Sequence, residues 1–211
     1  MEIICHRGFW KNKKDQNSLG AFKRALLHNF GIEFDLRNYG KKLIVSHDIG
    51  KGLELKHYLK IYKKLKSNKP LLINIKSDGI GNKLKFYLKK FKIKNYFTFD
   101  MSVPEQILYN KLKLKNLSRL SIYENSPIDL KYTVGYWIDT YGGKLPKFNF
   151  KKKPKKNKSL FFISPELHKK KFKDIWIKLK NLKKIYNKNL YICTDHFTKS
   201  NLFFNGKLKK N

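Results

Sequence analysis

Eight short apolar runs, most of them separated by amphipathic helical patterns, predict a small (β/α)8 TIM barrel for this chain. Alternation of strand and helix argues for parallel strands joined by right-handed crossovers. An open doubly wound sheet is the competing arrangement, but no glycine-rich phosphate loop follows the first strand. Polar and charged residues also recur at the C-terminal ends of the runs, where a barrel carries its catalytic face.

The elements follow in order. Residues 2–7 read as a buried strand through Ile3-Ile4-Cys5, broken at Gly8. Residues 16–29 read as a helix with Leu19, Phe22, Leu26 and Leu27 on one face and Asn17 or Ser18 at its cap. In residues 32–36, Ile32, Phe34 and Leu36 alternate with Glu33 and Asp35, so both carboxylates leave one face of a strand. Residues 43–46 are a further extended piece, and 55–65 an amphipathic helix. Strands are then expected at 71–76, 96–99, 117–123, 136–138, 160–163 and 190–193. Helices are expected at 82–91, 104–112 and 172–186, with a weak one at the end and others reduced to turns. All 211 residues fit one domain with a real core.

Composition bounds the function classes. Apolar residues make up 41% and aromatics 15%, so the chain folds instead of behaving as a disordered polycation. Its net charge of +34 is carried almost wholly by lysine and favours encounters with anions such as acidic membranes or other polyanions. Lysine, asparagine, isoleucine, phenylalanine and tyrosine abound together, so coding bias accounts for part of that charge. The sharpest basic run spans residues 151–158; it is either a solvated loop or a device that steers polyanionic substrates. No zinc-finger spacing, RNA-recognition string or helix-turn-helix signature is present, so nucleic acid is not the expected partner and a basic nucleic-acid-binding protein is the least favoured alternative. Two cysteines without metal-type spacing, no leader pattern and no apolar stretch of bilayer length point to a cytoplasmic protein.

Four strings in the first forty-eight residues carry the chemistry: His6-Arg7-Gly8, Gln16-Asn17-Ser18, Glu33-Phe34-Asp35 and Ser46-His47-Asp48. His6 and His47 suit general acid and base work because imidazole titrates near neutrality. Arg7 offers a forked donor and Lys76 a point charge for phosphate oxygens. Further polar residues close other runs: Asn74, Asp100, Asp139, Glu166 and Asp195. Asp139 and Asp195 read mainly as structural, and His28, His57, His168 and His196 as ordinary hydrogen-bonded histidines.

In order and spacing the four strings resemble the glycerophosphodiester phosphodiesterase family, within the wider group similar to phosphatidylinositol-specific phospholipase C. The resemblance covers residues 1–80. In addition, Asn74-Ile75-Lys76-Ser77-Asp78-Gly79, Phe99-Asp100-Met101-Ser102, Ser164-Pro165-Glu166-Leu167-His168 and Cys193-Thr194-Asp195 look like a compact bacterial branch associated with surface-glycan or lipid-head-group phosphodiesters. The resemblance implies a metal-dependent phosphodiester hydrolase in which Glu33 and Asp35 hold Mg2+ or Ca2+. It further implies attack by a substrate hydroxyl next to the phosphate, giving a cyclic phosphate that water can open. Where the family places a glutamate, this chain has Asn74, whose carbonyl oxygen brings no charge; Asp100 is the candidate to restore the carboxylate. Arg7, Lys76, Glu166 and Trp137 are expected to bind substrate. Only residues 49–69 separate His47-Asp48 from the third strand, where the family commonly inserts a subdomain, so a more open mouth is expected. A catalytically impaired barrel that binds a phosphorylated ligand is the competing reading.

Overall fold

The computed structural model describes residues 1–150, 158–186 and 189–206. Ten strands form one sheet in the order β1-β10-β9-β8-β7-β6-β5-β2-β3-β4, and β1 also pairs with β2. That pairing closes eight strands into a (β/α)8 barrel, with β3 and β4 as an arm on β2. The eight strands are β1 (Glu2–Cys5), β2 (Gly31–Tyr39), β5 (Leu71–Ile75), β6 (Tyr96–Phe99), β7 (Asn116–Leu120), β8 (Thr133–Ile138), β9 (Ser159–Ile163) and β10 (Leu190–Thr194). The arm consists of β3 (Lys42–Val45) and β4 (Leu53–Glu54). Among the described residues six α-helices accompany them: α1 (Leu19–Leu27), α2 (Leu55–Lys64), α3 (Gly81–Lys90), α4 (Val103–Lys111), α5 (Lys173–Ile185) and α6 (Phe197–Asn205). No helix lies between β7 and β8, which bears out the expectation that some helices shrink to turns.

The described chain divides into two compact units. One comprises residues 5–117 and 130–133, the other residues 1–4, 118–129 and the chain from 134 onward.

In the first unit β2 pairs in parallel with β5, Asp35 beside Asn74, and β5 in parallel with β6. Every residue of β2 from Gly31 to Leu36 is buried, the pattern of a strand covered on both faces. Beyond Leu36 the strand continues into an antiparallel ladder with β3, Leu36 opposite Val45 and Tyr39 opposite Lys42. Sequence alternation placed the end of β2 at Leu36 because the polar residues that follow belong to this arm. Helix α1 is shorter than the expected 16–29. Asn17 takes a left-handed φ of 59°, so the helix starts only after Ser18, whose Oγ accepts from Ala21 N at 2.9 Å. Ala21, Phe22, Ala25 and Leu26 form its buried face. Phe22 and Phe34 pack with Tyr58 of α2, the Phe22 and Tyr58 rings edge-on with centroids 5.3 Å apart. Helix α4 is capped by Ser102 and has Pro104 in its first turn.

In the second unit β10 pairs with β9 and β9 with β8, all in parallel. Strand β7 stops at Leu120 instead of continuing to residue 123, because Ser121 and Glu124 exchange backbone hydrogen bonds in a turn. Trp176 of α5 is 1% exposed, and its indole N–H donates to Ser164 Oγ at 2.7 Å. Residues 151–157 of the basic run lie outside the described residues. Its last member, Lys158, is buried and pairs with Asp129. Cys5 and Cys193 are buried free thiols. Among the described residues no helix is long and apolar enough to cross a membrane.

Candidate active site

The four sequence strings meet in the first unit, each held by its own backbone device. At the end of β1 the chain turns through Arg7 at φ 56° and Gly8 at φ 84°. Gly8 lies against α1, where a Cβ would stand 2.9 Å from the Ala21 carbonyl carbon. Gly8→Ala is therefore expected to destabilise the fold by about 2–4 kcal/mol through combined left-handed strain and overpacking. Urea unfolding measures it; an unchanged midpoint would show that the turn repacks without cost.

That turn aims the backbone N–H of Arg7 at Glu33 Oε2, 3.0 Å away. His6 Nε2 lies 4.0 Å from the same oxygen, the outer limit of an ion pair. The Arg7 guanidinium spans two strings: Nη1 donates to Gln16 Oε1 at 3.3 Å, and Nε stands 2.9 Å from Asp35 Oδ2. This second approach is an ion pair without a hydrogen bond, since Nε–H does not point along it.

Asp35 is the hub. It is 1% exposed, and besides Arg7 it meets Asn17 and Lys76. Asn17 Nδ2 donates to Asp35 Oδ2 at 2.9 Å, and Asp35 N donates back to Asn17 Oδ1 at 3.2 Å. Asn17 is itself fixed by its N–H to the Arg7 carbonyl at 2.9 Å and by Tyr58, whose hydroxyl donates to the Asn17 carbonyl at 2.7 Å. Its left-handed backbone, which delays the start of α1, accompanies the turn of the side chain onto Asp35. The Gln16-Asn17-Ser18 string thus divides its labour: Gln16 holds Arg7, Asn17 holds Asp35 and Ser18 caps α1. Sequence reading quoted the string but left Gln16 and Asn17 out of the site; their place between the two charged strings was the available signal.

Lys76, just past β5, sets Nζ 3.6 Å from Asp35 Oδ1 and 3.6 Å from Asp100 Oδ2. Asp100, left-handed at φ 68° after β6, thus joins the cluster through Lys76. His47 lies past β3, with its side chain 44% exposed and Nδ1 2.7 Å from Asp48 Oδ1. The His47 hydrogen bond, then the His47 charge, hold the exposed Asp48 carboxyl below its usual range; Arg7 and Arg37 push the same way.

Glu33 is driven the opposite way. Burial, then the Asp35 charge beside it, push its carboxyl up to about 7, while His6 and Arg7 oppose the shift. Two buried carboxylates so placed favour a nearby positive charge. Asn74 stands beside Asp35 in the β2–β5 register, and its Oδ1 is buried with no hydrogen-bond partner. The orphaned amide oxygen of Asn74, the Asp35 carboxylate beside it in register and the Glu33 carboxylate that interacts with Asp35 offer only oxygen donors, which suits a hard divalent cation. Among the described residues no three His, Cys, Asp or Glu side chains form such a group, so Asp100, expected as the third carboxylate, is not brought together with Glu33 and Asp35; its carboxylate pairs with Lys76 instead.

The two remaining expected residues belong to the second unit. Trp137 is buried within β8. Glu166 is half-buried and accepts from Ser164 Oγ, Thr194 Oγ1 and, at 3.2 Å, Asp195 N. His168, read as ordinary, places Nε2 2.5 Å from Asp139 Oδ1 and packs its ring on Tyr141 with centroids 4.7 Å apart.

No family model and no curated protein matches the sequence. Solved structures do match it over nearly the whole chain. A Galdieria sulphuraria protein assigned as a glycerophosphodiester phosphodiesterase aligns at a TM-score of 0.74 and 17% identity, over 96% of this chain and 97% of its own. The glycerophosphodiester phosphodiesterase of Agrobacterium tumefaciens aligns at 0.66 and 14% identity, over 97% of both chains. An Oleispira antarctica phosphodiesterase, solved with the product sn-glycerol-3-phosphate, aligns at 0.64 and 11% identity over 96% of both. The fold of this chain is that of the glycerophosphodiester phosphodiesterases.

Proposed function

We propose that the chain is a single-domain, metal-dependent hydrolase of phosphodiester bonds, acting on a glycerophosphodiester or on a surface-glycan or lipid-head-group phosphodiester. One observation carries the reading: the buried, unpartnered Asn74 Oδ1 belongs to the residue beside Asp35 in the β2–β5 register, with Arg7 and Lys76 at the same carboxylate and the Glu33 charge coupled to it. Such a set offers oxygen donors to Mg2+ or Ca2+ and cationic groups to phosphate. The glycerol-3-phosphate product bound by the Oleispira protein supports a phosphodiester substrate of that kind.

A bound cation supplies Lewis acidity to a phosphoryl oxygen and lowers the pKa of a hydroxyl it contacts. Glu33, Asp35 and Asn74 would hold it. Arg7 neutralises non-bridging oxygens through its fork, and Lys76 adds a point charge. His6, at the Glu33 carboxylate, and His47, oriented through Nδ1 by Asp48, exchange the protons of the attacking hydroxyl and the leaving alkoxide. Asp100 keeps Lys76 in place, and Glu166 and Trp137 serve substrate binding. The link between His47 and β5 holds only β4 and α2, which leaves room for a bulky head group. The decisive assay is hydrolysis of an aryl phosphodiester and of a glycerophosphodiester with Mg2+ or Ca2+, beside His6→Ala and His47→Ala. Turnover untouched by both substitutions, or absent under every condition, would remove the enzyme assignment.

A second reading, a barrel that binds a phosphorylated ligand without cleaving it, is favoured by the charge at the site. Asn74 brings none, and Lys76 and Arg7 already sit at Asp35. Asn74→Asp separates the two. On the enzyme reading it tightens divalent-cation binding by roughly tenfold, or about 1.4 kcal/mol, measured by Mn2+ titration. On the binding reading the cation affinity stays negligible in both proteins.

A further inference from the structure

Strand β2 overruns Leu36 as far as Tyr39, and the overrun carries Arg37 and Asn38 into the arm with β3. The guanidinium of Arg37 there meets two loop ends. Nη1 donates to the His47 carbonyl at 3.1 Å, and Nη2 donates to the Lys76 carbonyl at 3.3 Å. The next residue adds a second tie, its Asn38 N–H donating to Ser77 Oγ at 3.0 Å. From these bonds we infer that Arg37 is a positioning residue, one rigid fork that fixes the His47 loop and the Lys76 loop to the same strand.

The chemistry of the side chain supports this role. A guanidinium holds its N–H groups in one plane, so two carbonyls accepting from Nη1 and Nη2 are kept at a set separation. A lysine ammonium, a single point on a flexible stem, cannot impose that separation. Pairing within the arm does not need the fork, because Arg37 already faces Ile44 through the backbone ladder. Its donors go to the carbonyls of the two residues whose side chains carry the proposed proton and phosphate chemistry. Arg37 also acts electrostatically on Asp48, the partner of His47, which places the fork beside the His47–Asp48 pair.

The inference rests on the phosphodiesterase reading for its catalytic meaning, but its test has an arm independent of turnover. Arg37→Ala and Arg37→Lys are compared with the unaltered chain by amide hydrogen exchange and by steady-state kinetics. Arg37→Ala is expected to speed exchange about tenfold at residues 47–49 and again at 76–79, with the core of β2 unaffected. It should lower kcat about 100-fold with KM changed by no more than about threefold. Added guanidinium ion should restore much of both losses in Arg37→Ala, and Arg37→Lys should restore neither. Loosening of only one segment or none, unchanged kcat, or failure of guanidinium to rescue would overturn the role. If the unaltered chain hydrolyses no phosphodiester, the functional reading falls, and exchange with and without guanidinium decides Arg37 by itself.

Discussion

Asp35→Ala is expected to abolish divalent-cation binding and to cost about 3 kcal/mol of stability, the lower end for breaking a buried charge cluster. The loss is large because one carboxylate serves three partners. Arg7 stands at 2.9 Å, Lys76 at 3.6 Å, and Asn17 both donates to the side chain at 2.9 Å and accepts from the backbone at 3.2 Å. Removing it takes the shared counter-charge from two cations, each about one-fifth exposed, and leaves Lys76 with Asp100 as its carboxylate partner. Asp35→Asn keeps the shape and one acceptor, so it should retain part of the stability while still losing the cation. Urea unfolding reads the first effect and Mn2+ titration the second. A variant that unfolds like the parent would mean that Arg7 and Lys76 reach solvent freely. Retained cation affinity would remove Asp35 from the donor set.

His6→Ala is expected to lower kcat by roughly 10²–10⁴-fold, the range for a positioned general acid or base. His47→Ala should fall in the same range. Their environments differ: His6 is largely buried near Glu33, whereas His47 is 44% exposed and held by Asp48. Asp48→Asn should therefore weaken catalysis through His47 orientation, leaving the contribution of His6 intact. Steady-state kinetics on one aryl phosphodiester, with all three variants at equal cation saturation, provides the check. A His6→Ala enzyme within threefold of the parent would assign His6 to structure alone.

The sequence alone determined the alternation of strands and helices, and with it the barrel. It did so because apolar runs such as Leu71–Ile75 and Tyr96–Phe99 are strands buried throughout and need no distant partner to be legible. It also marked the candidate site residues at the ends of β1, β2 and β5, since polar groups on such buried strands stand out by their cost. Only the tertiary structure decided how they are arranged. Asn17 reaches Asp35 because of a left-handed turn that no helical periodicity marks. Lys76 bridges Asp35 and Asp100 across neighbouring strands, and Arg37 joins loops far apart in the chain. These are non-local contacts made by long side chains, and periodicity reports only which face a residue occupies. The same limit applies to Asn74: its identity was plain from the sequence, but its oxygen became a candidate ligand only when the structure buried it beside Asp35 with no partner of its own.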